Sequence, residues 1–381
     1  MTAGGMKRSR RPRAWLALTG LLMLAGSATA ADAADEIFTV RNVAVDVTAE
    51  TATAARAEAL SGGQKQAIDR LLGRLTRRAD AELLPELAPG DTEWLVSDFE
   101  VAGEKTSTVR YIARLTYRFK PDAVRSLLRQ AAVPYAETPS KPVLIVPVLR
   151  DRELLVLWDS PNPWREAWAA LPARSGLVPM IVPVGDLGDI ADLTAAQAAA
   201  GDTASLTAVA DRYGAADSLV AIAERRFDAV AQTYKMDVTV SRVGATQQAP
   251  ILVSFQSDPE ASVAALAAGA AEETAAAIED AWIGANLLRF DQQRRMVLAV
   301  PLGGLADWVR VRDSLARVAV IAAADLRSLT RDTAEVEIAF IGDEAQLAQA
   351  LAQQDLTLDA PLAEGAAPGA LRVLRLAAGG G

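Results

Sequence analysis

Across its 381 residues the chain has neither a cysteine nor a histidine. No disulfide can staple it, and no thiolate- or imidazole-bound metal can organise it, so its fold must rest on apolar burial and hydrogen bonding. Apolar residues make up 51% of the chain, which is enough for that task, and a chain of this length is expected to divide among two or three cores. The same absence narrows the chemistry. The usual general base, the Ser-His-Asp triad and the cysteine nucleophile are all excluded. Carboxylate, lysine, tyrosine or Ser-Lys chemistry stays open, and a non-catalytic protein without cofactor or metal is the default expectation.

Residues 1–30 read as a cleavable export signal. Lys7, Arg8, Arg10, Arg11 and Arg13 form a basic start, Ala14 to Gly26 an apolar run of 13 residues, and Ala28-Thr29-Ala30 a small-residue cleavage site. The run is shorter than the roughly 20 residues that cross a bilayer. Ser9-Arg10-Arg11 is similar to a twin-arginine start, but Pro12, Arg13 and Ala14 stand where that motif wants apolar residues. Ordinary Sec export with a cut after Ala30 is therefore expected, with retention as an uncleaved anchor the alternative. A lipid anchor at the cut would need a cysteine. The expected location is periplasmic or secreted. The mature chain from Ala31 has 351 residues and a net charge of −14, against −9 for the whole sequence. That acidity argues against nucleic acid as a partner, and no integral membrane span is expected after cleavage.

Hydrophobic periodicity divides the mature chain into three small α/β modules, an α+β (α/β) architecture. In residues 37–133, Phe38, Val40, Val43, Val45 and Val47 give a strand with one phase slip. Ala55, Ala59, Ile68, Leu71, Leu72 and Leu75 then fall at helical spacing within Thr51 to Arg78, and Trp94 to Val101 with Thr108 to Phe119 form a hairpin. Pro121-Asp122 opens a second helix, giving the order βαββα. A proline-bearing linker, Val133 to Ser140, leads to a module over residues 141–290. There Pro142 to Leu149 reads as a buried strand, Leu177 to Val184 as a central strand, and Asp258-Pro259-Glu260 as the start of a long closing helix. Residues 294–360 run βαββαβ, a ferredoxin-like order, with Ala334, Val336, Ile338 and Phe340 alternating against Glu335 and Glu337. Residues 361–381 read as a mostly flexible tail, loose apart from the apolar stretch Leu371 to Leu376.

Several of these segments carry a resemblance. Phe38-Thr39-Val40-Arg41-Asn42-Val43-Ala44-Val45-Asp46-Val47, the pair Ala55-Arg56, Phe99-Glu100-Val101 before Tyr111, Tyr117-Arg118-Phe119 ahead of Pro121, and Asp307-Trp308 after Val300-Pro301 resemble the bacterial family known as domain of unknown function 2066. The resemblance covers nearly the whole mature chain and implies an uncharacterised exported protein, with no catalytic residues to carry over. At the level of pattern, the middle module resembles the N-terminal domain of the Tol translocation protein. Its strand Val143 to Val148, Gly176-Leu177-Val178, Tyr213-Gly214-Ala215-Ala216-Asp217-Ser218-Leu219-Val220 and final long helix carry that likeness. The curli secretion lipoprotein and outer-membrane cofactors of peptidoglycan synthases share the pattern, and the first module is similar to a βαββα module of the flagellar T-ring protein. These likenesses imply envelope assembly or protein–protein contact, although fold does not fix function.

Among candidate sites, Trp158, Asp159, Asn162, Trp164 and Trp168 form the aromatic-rich turn most suited to binding a peptide or sugar edge. The plainer reading is a capped helix whose tryptophans are core. Arg150-Asp151-Arg152-Glu153 reads as a solvated hairpin tip. Arg74, Arg77 and Arg78 suit an anionic lipid or glycan, but the helix dipole alone favours cations there. Glu335 and Glu337 could mimic paired glycosidase carboxylates, though their alternation makes a solvent face the simpler expectation. Gly185, Asp186 and Gly188 are too sparse for a phosphate loop.

The expectation is therefore a non-catalytic periplasmic accessory or scaffold protein that binds another envelope protein or peptidoglycan-associated component through its middle module. A carboxylate-dependent envelope hydrolase and a soluble small-ligand binding protein are the alternatives. The latter requires a sizeable pocket between the first and middle modules.

Overall fold

The computed structural model describes residues 36–88, 90–172, 174–230, 233–244, 248–258, 260–288, 293–359 and 372–377; the export signal read at residues 1–30 lies outside them. The described chain is of the α+β class, with three sheets.

The first sheet is antiparallel in the order β1 (Thr39–Thr48), β3 (Arg110–Phe119), β2 (Val96–Thr106). The phase slip in β1 is a bulge. Its register against β3 shifts between Val40 and Val43, where Asn42 adopts a left-handed φ of 57°, so Val40, Val43 and Val45 all face inward. Helix α1 (Ala52–Leu75) starts at Thr51, whose hydroxyl accepts from Ala54 N at 3.1 Å. It lays Ala55, Ala59, Ile68, Leu71 and Leu75 onto this sheet. Gly63 sets the approach, because a Cβ there would stand 2.8 Å from Leu115 Cδ1 and 3.0 Å from Val45 Cγ1. Helix α2 (Pro121–Gln130) completes the module with proline in its first turn.

The middle sheet runs β5 (Leu154–Val156), β4 (Val143–Asp151), β7 (Asp217–Asp228), β8 (Thr233–Val243), β9 (Ile251–Gln256), with β6 (Met180–Ile181) also on β4. Residues 143–148 of β4 are buried throughout because both faces are covered. Val143 and Ile145 point to one cluster, with α3 (Pro163–Ala170) and α7 (Val263–Ala285). Leu144, Val146 and Val148 point to the other, with Leu193 just after α4 (Leu187–Asp192) and with α5 (Ala195–Ala200) and α6 (Thr203–Arg212). The result is a helix–sheet–helix sandwich.

Two expectations for this module need correcting. Leu177 to Val184 is not a central strand: Pro179 and Pro183 lack the amide a ladder needs, and Met180–Ile181 pairs with one edge of β4 alone. The closing helix begins at Val263, capped by the Ser262 hydroxyl accepting from Ala265 N at 3.1 Å, rather than at Asp258.

The third sheet has the order β11 (Ile321–Leu329), β12 (Thr333–Ile341), β10 (Gln293–Pro301), β14 (Arg372–Leu376), β13 (Leu356–Leu358), with α8 (Leu305–Leu315) and α9 (Glu344–Ala352). The βαββαβ order is present, but β14 is inserted between β10 and β13, parallel to the first and antiparallel to the second. The apolar stretch within the expected flexible tail is therefore an internal strand, with Leu374 fully buried. The first and third sheets share one apolar cluster.

The proline-bearing linker Val133 to Ser140 is largely buried. Tyr135, Ala136, Glu137 and Thr138 are between 0% and 3% exposed. Ala136 N donates to Leu75 O at 2.9 Å, Glu137 accepts from Arg125 of α2 at 2.7 Å, Thr138 O accepts from Trp282 Nε1 at 2.7 Å, and Tyr135 O accepts from Leu288 N at 2.9 Å.

Leu374→Ala should cost about 2–5 kcal/mol in urea unfolding, since it opens a cavity beneath an internal strand. Leu326→Ala, on the 45% exposed side chain of edge strand β11, should stay within about 0.5 kcal/mol. Equal losses would contradict the placement of β14.

Candidate functional site

The aromatic turn does not form an exposed binding edge. Asn162 caps α3, its side-chain oxygen accepting from Arg165 N at 3.1 Å while its Nδ2 donates to Leu157 O at 3.0 Å. With Pro163 at the first helical position, the cap aims the i and i+4 residues Trp164 and Trp168 at the sheet. Trp164 is 0% exposed and donates Nε1 to Ala221 O at 3.0 Å. Trp168 meets it edge-on, with centroids 5.7 Å apart. Trp158 is half-buried and donates to Leu193 O at 2.6 Å, whereas Asp159 is exposed. Burial separates the five, and the tryptophans serve the core.

The arginines at the end of α1 lead instead to a cleft of about 620 Å³ between the first and middle modules. Arg70, Gly73 and Arg74 of α1 and Arg78 beyond it form one wall; Glu272, Glu279 and Asp280 of α7 form another, closed by Arg174, Ser175 and Gly176. The helical period of α7 explains the division of labour. Thr274, Ile278 and Trp282 pack on the sheet, which turns Glu272, Ala276, Glu279 and Ile283 toward α1.

The three arginines have distinct roles. Arg77 pairs locally with Asp80 at 2.7 Å. Arg78 joins the modules: its backbone N–H and Nε donate to Asp280 at 3.0 and 2.6 Å, and Nη1 donates to Glu273 at 2.9 Å. Arg74 is 9% exposed and donates Nη1 to the carbonyls of Ile37 and Thr39 at 2.5 and 2.9 Å. Burial lowers its pKa from the usual arginine value, outweighing the opposing pull of the Glu36 and Glu279 carboxylates.

Glu279 closes the inner end. Its carboxylate accepts from Leu177 N at 3.0 Å and Val178 N at 3.3 Å. A Cβ on Gly176 would collide with that carboxylate, so the Glu279 side chain reaches this position only because residue 176 is glycine, and a larger residue would push it aside. Burial pushes the Glu279 carboxyl up to about 7, despite the opposing effects of those two amides and of Arg174 and Arg74. Such a site can hold an oxyanion and exchange a proton near neutral pH.

The isolated sequence pattern points to Arg74 and Arg78, but gives no sign of Glu279 against Gly176, which lie far apart in the chain. Among the described residues no cluster of three or more Asp, Glu, His or Cys could hold a metal ion, and no helix is long and apolar enough to cross a membrane.

Glu279 generates a pH signature. Below its ordinary value of 4.5 the carboxyl is neutral in folded and unfolded chains alike; between 4.5 and about 7 the unfolded chain ionises while the folded one keeps its proton. Its contribution to stability is therefore lost as pH rises through that window, by up to about 3 kcal/mol. Urea unfolding of the wild type and Glu279→Gln from pH 4.5 to 8 should show the wild type losing stability relative to the variant and then levelling. A constant difference would refute the raised carboxyl.

No curated protein and no solved structure matches the chain. The family match covers the first module and the start of the buried segment after it, and it is to a family other than domain of unknown function 2066. A family model described as a domain of unknown function (DUF8605) matches residues 39–137.

Proposed function

We propose that the protein is an exported, non-catalytic accessory protein that binds a cell-envelope component, an envelope protein or a peptidoglycan-associated molecule, at the junction of its first and middle modules. The observation that carries the reading is the arginine-lined cleft between α1 and α7. It is built on two secondary elements whose backbones are fixed by packing, and its volume of about 620 Å³ is that of a ligand site rather than a packing defect. Export rests on the pattern of residues 1–30. The pattern-level resemblance of the middle module to the Tol translocation protein supports an envelope role. A soluble small-ligand binding protein is the second reading, favoured by the same cleft lying between those two modules.

The test is photo-crosslinking in cells that export the full chain. With p-benzoylphenylalanine in place of Arg70 or Glu272, both exposed on the cleft wall, adducts should appear by intact mass. The same residue in place of Leu326, on the third sheet, should give none. Adducts at Leu326 alone, or equal adducts at all three, would overturn the cleft as the binding site.

A further inference from the structure

The accessible groups of this cleft narrow its occupant, and the following rests on the binding reading above. Arg70, Arg74, Arg78 and Arg174 are balanced one for one by Glu272, Glu279 and Asp280 of the cleft and by Glu273, which pairs with Arg78. The set is neutral with Glu279 ionised and carries one positive charge with Glu279 protonated. Arg78 is held by Asp280 and Glu273, while Arg74 and Glu279 are bonded to backbone groups. The charges left open are Arg70, Arg174 and Glu272. All three are exposed on the cleft wall and have no salt bridge among the described residues. Two open guanidiniums against one open carboxylate suit a ligand with a single negative charge, and a carboxylate is the group that guanidiniums bind by charge-assisted hydrogen bonds.

The wall beside Arg174 is main chain. Leu177 N and Val178 N already hold the carboxylate of Glu279. The N–H groups of Ser175 and Gly176, immediately before them on the same wall, make no hydrogen bond among the described residues. Consecutive open amides next to a cation are a recurring way of capturing the carboxyl end of a peptide.

The third sign is apolar. Arg174 also lines a neighbouring groove of about 200 Å³. Its Pro172 and Pro179 are exposed, and Leu171, Met180 and Val182 are half-buried, so this apolar wall is reachable from solvent. Arg174 stands where the two hollows meet. A carboxylate bound there would leave a neighbouring side chain free to enter the groove.

Gly73 is the fourth. Glycine inside a helix is less favourable than alanine, yet no atom lies within 4 Å of where its Cβ would stand. Packing does not require the glycine. It keeps the α1 wall of the cleft low.

We propose that cleft and groove together bind the carboxyl-terminal end of a peptide, its terminal carboxylate between Arg70 and Arg174, its backbone along Ser175 and Gly176, and an apolar terminal side chain in the groove beside Leu171 and Met180.

Isothermal titration of the full chain with acetyl-Ala-Ala-Leu as the free acid tests this, beside its carboxamide, acetyl-Ala-Ala-Gly and hexanoate. The leucyl acid should bind at least about tenfold more tightly than each of the others, which lack in turn the charge, the apolar side chain and the peptide backbone. Arg174→Ala, at an exposed position, should weaken it about tenfold. Gly73→Leu, which puts a side chain into the open space of the cleft, should abolish binding while the melting temperature stays level or rises, because leucine is the better helix former. The proposal is overturned if the leucyl acid gives no binding, if any of the other three binds as tightly, or if a folded Gly73→Leu binds as the wild type does. Adducts at Arg70 and Glu272 together with no binding of the leucyl acid would remove the peptide end and leave the binding reading standing. Absence of adducts at both positions would remove the reading itself, and the peptide with it.

Discussion

Residues 135–138 are where the three modules meet, and the rest of the structure depends on their burial. This short stretch is bonded to the end of α1, to α2, to α7 and to Leu288 at the approach to the third sheet. Each backbone bond contributes only about 1 kcal/mol net, but a buried group left unmade costs about 1–3 kcal/mol. Separating any one module would expose such groups at once. In a chain without cysteine to form disulfides, this is how the three modules act as one body. Tyr135 itself belongs to the apolar cluster shared by the first and third sheets.

The cleft follows from that joint. With α1 tied through Leu75 to Ala136 and α7 tied through Trp282 to Thr138 of one buried segment, the two helices are held at a fixed separation. Arg78 then bridges them across the rim. Its side chain is half exposed, and ion pairs of that kind are worth little individually; its part is to fix orientation more than to supply stability. The helices leave a gap because the residues facing it are arginines, acids, Gly73 and Ala276, which do not fill it.

Much of the fold is legible in the sequence because it is local. The phase slip from Val40 to Val43 reports the β1 bulge, the continuous apolar run of β4 reports a sheet covered on both faces, and the alternation through Ala334 to Phe340 reports a half-buried strand. The illegible parts are those set by distant partners. Val133 to Ser140 has the proline content of a solvated linker, and its burial depends on Arg125, Leu75 and Trp282. Pro179 and Pro183 break what apolar content alone reads as a central strand. Leu374 lies in a Gly- and Ala-rich tail, yet fills the space between β10 and β13. Of the site, the arginine cluster at the end of α1 is visible, while the contact of Glu279 with Gly176 leaves no trace in local pattern. The tryptophans of α3 show the converse: a composition suited to recognition, aimed by Asn162 and Pro163 into the core.

Hydrogen–deuterium exchange over residues 134–140 tests the joint most directly. If this segment is the hub, the Ala136 amide, bonded to Leu75 O, exchanges as slowly as the amides of β4 and opens only with global unfolding. Exchange at the rate of a solvated loop, with β4 still protected, would contradict a fold in which three modules and their cleft are held by one buried segment.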